Sequence, residues 1–192
     1  TGAIQLRPPE GVTLATARIP PGTAAAVAAR AHRPADLTTR EFLFGGAVDY
    51  TIEGAGIELT SGSIATPSTH VTFDGRTRFG DDSRIPFRVV STNWQESDRL
   101  MAAVMTAVGT PTDAFAVDGY GTLDGVMIGD VAAPRIEATF AGEDVRAWNV
   151  EWGAGQGEFV VENAYLDVTN GLFRRADAEL GMFNLPARKL VL

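Results

Sequence analysis

One segment of the sequence recurs near its other end, and this recurrence constrains the fold more than any other feature. Residues 47–62 align with residues 156–171 without a gap, at an offset of 109 positions. Asp49 aligns with Glu158 and Tyr50 with Phe159, and both copies end in Thr, then Ser or Asn, then Gly. A self-match at a fixed offset is typical of repeat proteins, whose units bury their apolar faces against their neighbours. The sequence therefore predicts a piece of a larger, elongated β protein.

Composition limits the classes of partner. The apolar fraction of 45% in 192 residues is enough for a core, which argues against disorder. The formal net charge of −8 disfavours nucleic acid and anionic membrane surfaces as direct partners. With no cysteine, the chain has no disulfide, thiolate nucleophile or Cys-type metal site. No apolar run approaches the roughly 20 residues that a membrane-spanning helix needs.

From residue 40 onward, apolar and polar residues alternate with period two, which predicts antiparallel strands joined by turns. The Gly54–Gly56 segment is predicted as a turn, Asp74-Gly75 as a strand end or bulge, and residues 80–83 as a hairpin loop. The apolar parity flips at Asp124-Gly125, which predicts another turn or bulge, because one inserted residue reverses every side chain. Asn170-Gly171 predicts a two-residue hairpin.

Other stretches give weaker signals. Residues 145–152 have no clear pattern, and residues 153–157, Gly-Ala-Gly-Gln-Gly, predict a flexible turn. Two short strands are expected at residues 3–6 and 12–18, around a Pro-Pro-Glu-Gly turn.

Two helices are predicted. Residues 96–108 carry apolar side chains at helical spacing, Asn93 and Glu96 have the spacing of a capping box, and Gly109 and Pro111 end the helix. The alanine-rich residues 23–33, followed by Pro34, predict a second, short helix. We expect three regions: N-terminal strands with a short helix (1–39), a first β-repeat unit with the connecting helix (40–109), and a second β-repeat unit (110–192).

Side-chain chemistry points away from catalysis. No nucleophile elbow, zinc-protease motif or phosphate loop is present, and His32 and His70 are each isolated in sequence. Asp118, Tyr120, Thr122 and Asp124 share one face of a strand and offer oxygen ligands for Ca²⁺, but a solvated outer face is the favoured interpretation. We therefore expect no catalytic residue, no metal, no cofactor and no enzymatic activity.

The feature that remains is a continuous apolar face. A closed sandwich core explains any single strand of it equally well, but the repeat and the long meander favour an elongated, curved open sheet. In that case the face would line a groove for apolar ligands, formed by Tyr50, Ile52, Ile57, Leu59, Val71, Phe73, Ile85, Phe87, Val89, Phe115, Val117, Ile136, Ala138, Phe140, Phe159, Val161, Leu166 and Val168.

From about Phe44 to Leu180, the sequence resembles the β-rich region of the TamB and AsmA-like proteins of the bacterial cell envelope. The resemblance runs through residues 57–67, Val71-Thr-Phe-Asp-Gly75, Phe115-Ala-Val-Asp-Gly119, Gly121-Thr-Leu-Asp-Gly125, Ala133-Pro-Arg-Ile136 and Leu166-Asp-Val-Thr-Asn-Gly171. The first 40 residues match less well.

The resemblance implies an all-β fold with minor α: an antiparallel sheet folded lengthwise into a taco-like trough. It implies a periplasmic segment of a protein anchored in the inner membrane, which shuttles phospholipid to the outer membrane or assists outer-membrane protein assembly. The implied partners are phospholipid acyl chains, flanking repeats of the same chain and an assembly-type barrel protein. The alternative is a structural or adhesive β-repeat module of a surface protein, with a closed core and no ligand.

Overall fold

Ten antiparallel strands form one open sheet in the order of the sequence. The computed structural model describes residues 1–8, 10–17, 44–78, 82–107, 114, 116–130, 133–162, 165–176 and 178–182. The strands are β1 (Gly2–Leu6), β2 (Gly45–Glu53), β3 (Gly56–Ala65), β4 (Thr69–Arg78), β5 (Ser83–Ser91), β6 (Val117–Gly129), β7 (Arg135–Ala147), β8 (Val150–Glu162), β9 (Tyr165–Arg175) and β10 (Ala178–Met182). One described helix, α1 (Trp94–Ala107), follows β5.

The predicted fold class is confirmed: the chain is mainly β, its antiparallel sheet is not closed into a barrel, and an open trough is compatible with it. The predicted helix 96–108 corresponds to α1. The strand predicted at residues 12–18 is wrong for its described part, where Ala15 donates a single backbone hydrogen bond to Thr66. The predicted helix 23–33 lies outside the described residues. Strand β5 belongs to the first predicted β-repeat unit and β6 to the second. Because β5 pairs with β6, both units contribute strands to one sheet.

The bulge or turn predicted at Asp124-Gly125 is wrong. Strand β6 keeps one register with β5 and with β7 from Gly121 to Ile128. Leu123 and Met127 stay on one face, whereas Val126 and Ile128 lie half-buried on the other. The prediction assumed that Val126 and Ile128 belong to the same apolar face as Leu123. In the structure, both faces of this strand carry apolar residues.

Two other local predictions of turns, both in glycine-containing segments, are wrong. Residues 153–157 and Asn170-Gly171 lie within strands β8 and β9, not in turns. Asn170 has a φ of 51° and marks a β-bulge, where the register with β8 shifts. An Asn-Gly pair satisfies a positive φ in a bulge as well as in a hairpin, so the dipeptide alone does not separate the two.

The segment 145–152, which shows no clear sequence pattern, is a hairpin whose register shifts between Val145 and Arg146. Its strands β7 and β8 meet at Trp148 and Asn149, whose φ angles of 52° and 63° suit a two-residue turn with positive φ at both positions. The Gly54 turn between β2 and β3 is present as predicted, with Glu53 paired to Gly56. At Asp74-Gly75 strand β4 does not end but runs on to Arg78, and Gly75 adopts a φ of 126°.

The sequence repeat is also a structural repeat. Each pair that joins β2 to β3 recurs between β8 and β9 when 109 is added: Tyr50 with Leu59 becomes Phe159 with Val168. The pairing of Gly62 in β3 with Phe73 in β4 likewise becomes that of Gly171 in β9 with Met182 in β10. The bulge is repeated too, since Ser61 and Asn170 have φ angles of 52° and 51°.

The equivalence extends to a fourth strand that the sequence comparison does not detect. Ile4 of β1 pairs with Val48 of β2, and Phe140 of β7 pairs with Gly157 of β8, the position equivalent to Val48. Strands β1 to β4 therefore have the same register as strands β7 to β10, with a period of six strands.

Glycines on one face of the sheet make room for aromatic rings. A Cβ atom at Gly142 would lie 2.1 Å from the ring of Trp94, and one at Gly155 would lie 2.6 Å from the ring of Phe173. At Gly62 the ring of Phe73 would be 2.4 Å away. These rings lie over glycines of the sheet, an arrangement that compensates for the weak strand propensity of glycine.

We predict that Gly142→Ala lowers the free energy of unfolding by about 2–4 kcal/mol, because Trp94 at the start of α1 must move away from the sheet. Gly56→Ala is the matched control in a strand, since its nearest atom is the Glu53 carbonyl oxygen at 3.4 Å. Chemical denaturation measures both. Equal effects of the two substitutions would show that the ring does not rest on Gly142.

Candidate apolar-ligand surface

The cross-strand register places the predicted groove residues on one face of the sheet, termed the apolar face. One row across it runs from Phe73 through Phe87, Gly125 and Ala138 to Phe159. Parallel rows on either side contain Val71, Val89, Leu123 and Phe140, and Ile85, Met127, Ile136, Val161 and Leu166. Tyr50, Ile57 and Leu59 continue the face on β2 and β3, and Val117 and Val168 on β6 and β9.

Most of these side chains are partly exposed to solvent. Val89 and Ala138 are buried and Ile52 is 52% exposed, while Phe115 lies outside the described residues. The remaining predicted residues are half-buried: Tyr50, Ile57, Leu59, Val71, Phe73, Ile85, Phe87, Val117, Ile136, Phe140, Phe159, Val161, Leu166 and Val168. Half-burial of large apolar side chains in the middle of a sheet means that same-face neighbours cover their flanks. Away from α1, whose Trp94 contacts Phe140, no second layer of the described residues covers their tops.

The sequence prediction missed several members of the face. Ile4 and Leu6 of β1, Ile64 of β3, and Leu123 and Met127 of β6 share the face by register. Phe173 of β9 also lies there and is 8% exposed. Ile4 and Leu6 come before residue 40, where no alternation was recognised. Phe173 follows the bulge at Asn170, which changes the parity of the strand.

Aromatic rings form a cluster at one end of the apolar face. Phe140 contacts Trp94 edge-on at a centroid distance of 6.3 Å, Phe173 at 5.9 Å and Phe159 at 6.4 Å. Trp152 adds to the cluster through Phe173, at 5.3 Å. Such pairs contribute about 0.5–1.5 kcal/mol each beyond the area they bury. The cluster joins α1 to strands β7, β8 and β9.

Helix α1 begins at the same end, held by a hydroxyl-rich group termed the helix anchor. Ser97 donates to Ser91 at 2.7 Å, and Thr69 lies 3.1 Å from Ser91 and 2.8 Å from Ser97 between hydroxyl oxygens. Asn93 caps the helix through its Oδ1 atom, which accepts from the Glu96 amide at 3.3 Å. The members are Thr66, Ser68, Thr69, Ser91, Asn93, Glu96 and Ser97.

Glu96 does not complete the predicted capping box. Its carboxylate accepts from the Thr66 hydroxyl and from the Ser68 amide, the latter at 3.1 Å, while the Asn93 amide donates to Ser91. Thr66 and Thr69 are 1% and 0% exposed, and no buried side-chain polar atom of the described residues lacks a partner. A fully satisfied buried network of this kind fixes one arrangement of the helix on the sheet. The Ser and Thr residues at 66–69 and 91–92 are the sequence feature from which this network could have been predicted.

The opposite face, termed the polar face, carries ion pairs within and between its strands. Arg88 of β5 binds both carboxylate oxygens of Asp124, at 2.8 and 2.9 Å. Arg135 binds Glu137 and Glu162, at 2.8 and 2.9 Å. All these side chains are more than 40% exposed, so each pair contributes about 0–1 kcal/mol. They mark the solvated part of this face, whereas Ala65 and Val90, the cross-strand neighbours of His70, are 8% and 5% exposed.

Among the described residues of the polar face, the two carboxylates considered as Ca²⁺ ligands are each bound to another group of the protein. Asp124 is engaged by Arg88, and the Asp118 carboxylate accepts from the Gly119 amide at 2.8 Å. Within the described ranges, no three His, Asp or Glu side chains converge on a point where a metal ion would bind. Two shallow concavities of about 350 and 580 Å³ open on this face, beside Tyr120 and beside Thr72. Burial, followed by the charges of Asp144 and Glu143, raises the pKa of Tyr120.

No family model, curated protein or solved structure matches the chain. The resemblance to the TamB and AsmA-like proteins therefore remains a prediction from the sequence. Among the helices of the described residues, none has both the length and the apolar character to cross a bilayer.

His70 is the group through which we expect the stability of the fold to depend on pH. Burial on the polar face lowers its pKa from 6.5. Because the unfolded state then binds more protons than the folded state below about pH 6.5, the contribution of neutral His70 to stability is complete above that value and decreases as the pH falls. We predict that His70→Gln weakens the decrease in unfolding free energy between pH 7 and pH 5, measured by denaturant titration with His32 unchanged. Parallel pH profiles of the two proteins would contradict this assignment.

Proposed function

We propose that this chain is a non-enzymatic segment that holds phospholipid acyl chains along its apolar face. The observation that carries the proposal is the half-burial of large apolar side chains across eight neighbouring strands, from Tyr50 on β2 to Val168 on β9. Contact with an acyl chain would remove the remaining apolar surface from water at a gain of about 0.8 kcal/mol for each buried methylene. Apolar contact is non-directional, so the preference among acyl chains would be weak.

The size of the face suits this ligand. Eight strands at a spacing of about 4.8 Å give a sheet contour of roughly 34 Å between β2 and β9. One leaflet of a bilayer has a hydrocarbon thickness of about 15 Å, half of the roughly 30 Å core. The strands from β2 to β9 have 9 to 13 residues and are about 30 Å or longer at roughly 3.3 Å per residue, so the face accommodates the acyl chains of one or two lipids side by side along the strands.

The two ends of the strands differ, which gives a bound lipid an orientation. At one end, α1 and the aromatic cluster cover the apolar face. At the other end lies Ile52, which is 52% exposed, near the hairpin that follows Glu53. We infer that acyl chains enter at the Ile52 end and that the headgroup stays in water there.

In this proposal the chain is an internal segment of a protein that is anchored in the inner membrane and crosses the periplasm. It moves phospholipid to the outer membrane or assists the assembly of outer-membrane proteins, with flanking repeats and an assembly-type barrel protein as further partners. The support is the sequence resemblance, together with an open, single-layer antiparallel sheet that repeats every six strands.

A second function is favoured by the structural repeat. Recurrence of the register at an offset of 109 residues is equally suited to a structural or adhesive module of a surface protein, which needs a long regular sheet and no ligand. In that protein the apolar face would be covered by a packing layer, to give a closed core.

Native mass spectrometry of the chain purified from a bacterial periplasm separates these functions. A trough should retain phospholipid, seen as mass increments that are lost on collisional activation and identified by lipid extraction. A chain that carries no lipid, from cells or after incubation with phosphatidylethanolamine vesicles, would support the structural module.

We predict that Phe87→Arg abolishes lipid retention with a modest loss of stability, because the arginine side chain reaches the open side of a groove. Thr139→Arg is the matched control: it lies exposed on the polar face, with Asp124 and Glu158 as cross-strand neighbours, and should retain lipid. Leu100→Arg should unfold the chain, because Leu100 is 9% exposed on α1. Native mass spectra and thermal melts report both properties. A collapsed melting temperature for Phe87→Arg would instead indicate a sealed core.

A further inference from the structure

The two outer strands of the sheet have the register of inner strands. Among the described residues, β1 pairs only with β2 and β10 only with β9. In the six-strand repeat, β10 takes the place of β4 and β1 takes the place of β7. Both β4 and β7 are paired on both sides in this molecule. The outer edges therefore correspond to edges that accept a further strand elsewhere in the same sheet.

The sequences of β1 and β10 contain few of the features that prevent an edge strand from pairing with another chain. Natural edge strands are protected by lysine, proline, inward-pointing charges or bulges. Strand β1, Gly-Ala-Ile-Gln-Leu, contains no charged residue and no proline. Strand β10 contains one charge, Glu179, which binds Arg174 at 2.8 Å on the polar face. Their shortness, five residues each, is the protection that remains.

Exposed apolar side chains are present on both edge strands. Ile4 and Leu6 are 51% and 50% exposed, and Leu180 is 49% exposed. The register puts all three on the apolar face, because Ile4 pairs with Val48 and Leu180 pairs with Phe173. Among the described residues, each edge therefore ends in large side chains that lack an outer neighbour on the same face.

The direction of the strands selects the partner. Ten strands that alternate in direction leave β1 and β10 running opposite ways, so a second copy shifted along the sheet presents its β1 antiparallel to β10. We propose that β10 of one molecule pairs with β1 of a second copy of this chain, head to tail, so that the sheet and its apolar face continue across the junction. This inference is independent of whether the apolar face binds lipid, and it concerns this chain by itself, because flanking repeats of a longer protein would occupy the same two edges.

A register follows from matching the two faces and the full length of both strands. Leu180 then lies opposite Ile4 of the second copy, Ala178 opposite its Leu6 and Glu179 opposite its Gln5. Head-to-tail pairing uses both edges of every molecule. A two-fold dimer through β1 or through β10 would leave the other edge of each molecule free, which is the reason the head-to-tail form is favoured.

Two edge-blocked variants test the proposal. The first carries Ile4→Lys and Leu6→Lys, and the second carries Leu180→Lys; because these positions are about half exposed, thermal melts should confirm that both fold. In analytical ultracentrifugation, the wild type should associate beyond the dimer as its concentration rises, and each variant alone should remain a monomer. An equimolar mixture should form a one-to-one dimer, because each variant retains the edge that the other lacks.

Other outcomes overturn the proposal. A wild type that stays monomeric at the highest concentration reached would show that the edges do not pair. Dimers of one blocked variant by itself would show two-fold pairing through its remaining edge. Blocked variants that associate as well as the wild type would place the interface elsewhere on the molecule.

The absence of native cysteine allows a test of the register. Gln5→Cys and Glu179→Cys, made in separate molecules, would introduce the only thiols, directly opposite each other across the junction. Oxidation of the mixture should give a disulfide-linked heterodimer, since directly opposite Cβ atoms come within bridging range. Gly181→Cys in place of Glu179→Cys is the control, displaced by two residues on the same face. Equal cross-linking from both positions would contradict the proposed register.

Discussion

The rest of this structure depends on one constraint. The register between neighbouring strands must match the alternation of side chains, so that the apolar residues of successive strands lie on the same face of the sheet. In a single-layer sheet, one inserted residue moves every following side chain to the other face. The bulge at Ser61 keeps Leu59 and Ile64 on the same face although they are five residues apart, and Asn170 does the same for Val168 and Phe173. Without these bulges the apolar face would end in the middle of β3 and of β9. The bulges are thus part of the repeat unit.

A sheet with only one described helix on it must obtain its stability mainly within its own layer. Aromatic rings supply much of this packing, because they are large enough to contact residues on neighbouring strands. Glycines at 142 and 155 let those rings lie close to the backbone, where a Cβ atom would collide with them. Among the described residues, the largest side chains with less than 2% exposure are hydroxylic, Thr66, Thr69, Ser83 and Ser91, which is unusual for a protein core. Thr66, Thr69 and Ser91 lie where the helix meets the sheet, whereas Ser83 lies at the other end of β5 and bonds to Thr77. Between these two places, burial along the apolar face is incomplete.

The sequence was sufficient to predict the sheet, helix α1 and most residues of the apolar face, because period-two alternation and a gapless repeat are local signals. It was insufficient wherever one local signal has two structural outcomes. Asn170-Gly171 fits a hairpin or a bulge, and only the strand that pairs with it decides between them. The glycines at 153–157 suggested flexibility, although Gly155 and Gly157 make room for the rings of Phe173 and Phe140, which are distant in sequence. The helix anchor was missed because serine and threonine residues are common in loops, and only the fold brings Thr69, Ser91 and Ser97 together.

The two proposals made for this chain concern perpendicular surfaces, and this makes them compatible. A lipid would cover the apolar face from above, whereas a second copy would extend the same face from its edge. At an uncapped edge the outermost apolar side chains, Ile4, Leu6 and Leu180, lose contact with water only if a strand lies beside them. A bound acyl chain that reached this edge would have water on one flank, so extending the sheet would also improve the burial of the ligand near the junction. Conversely, lipid contact would remove from water the exposed tops of the side chains that edge pairing leaves uncovered. In a single-layer sheet, edge pairing and face coverage each complete a different part of the same apolar surface.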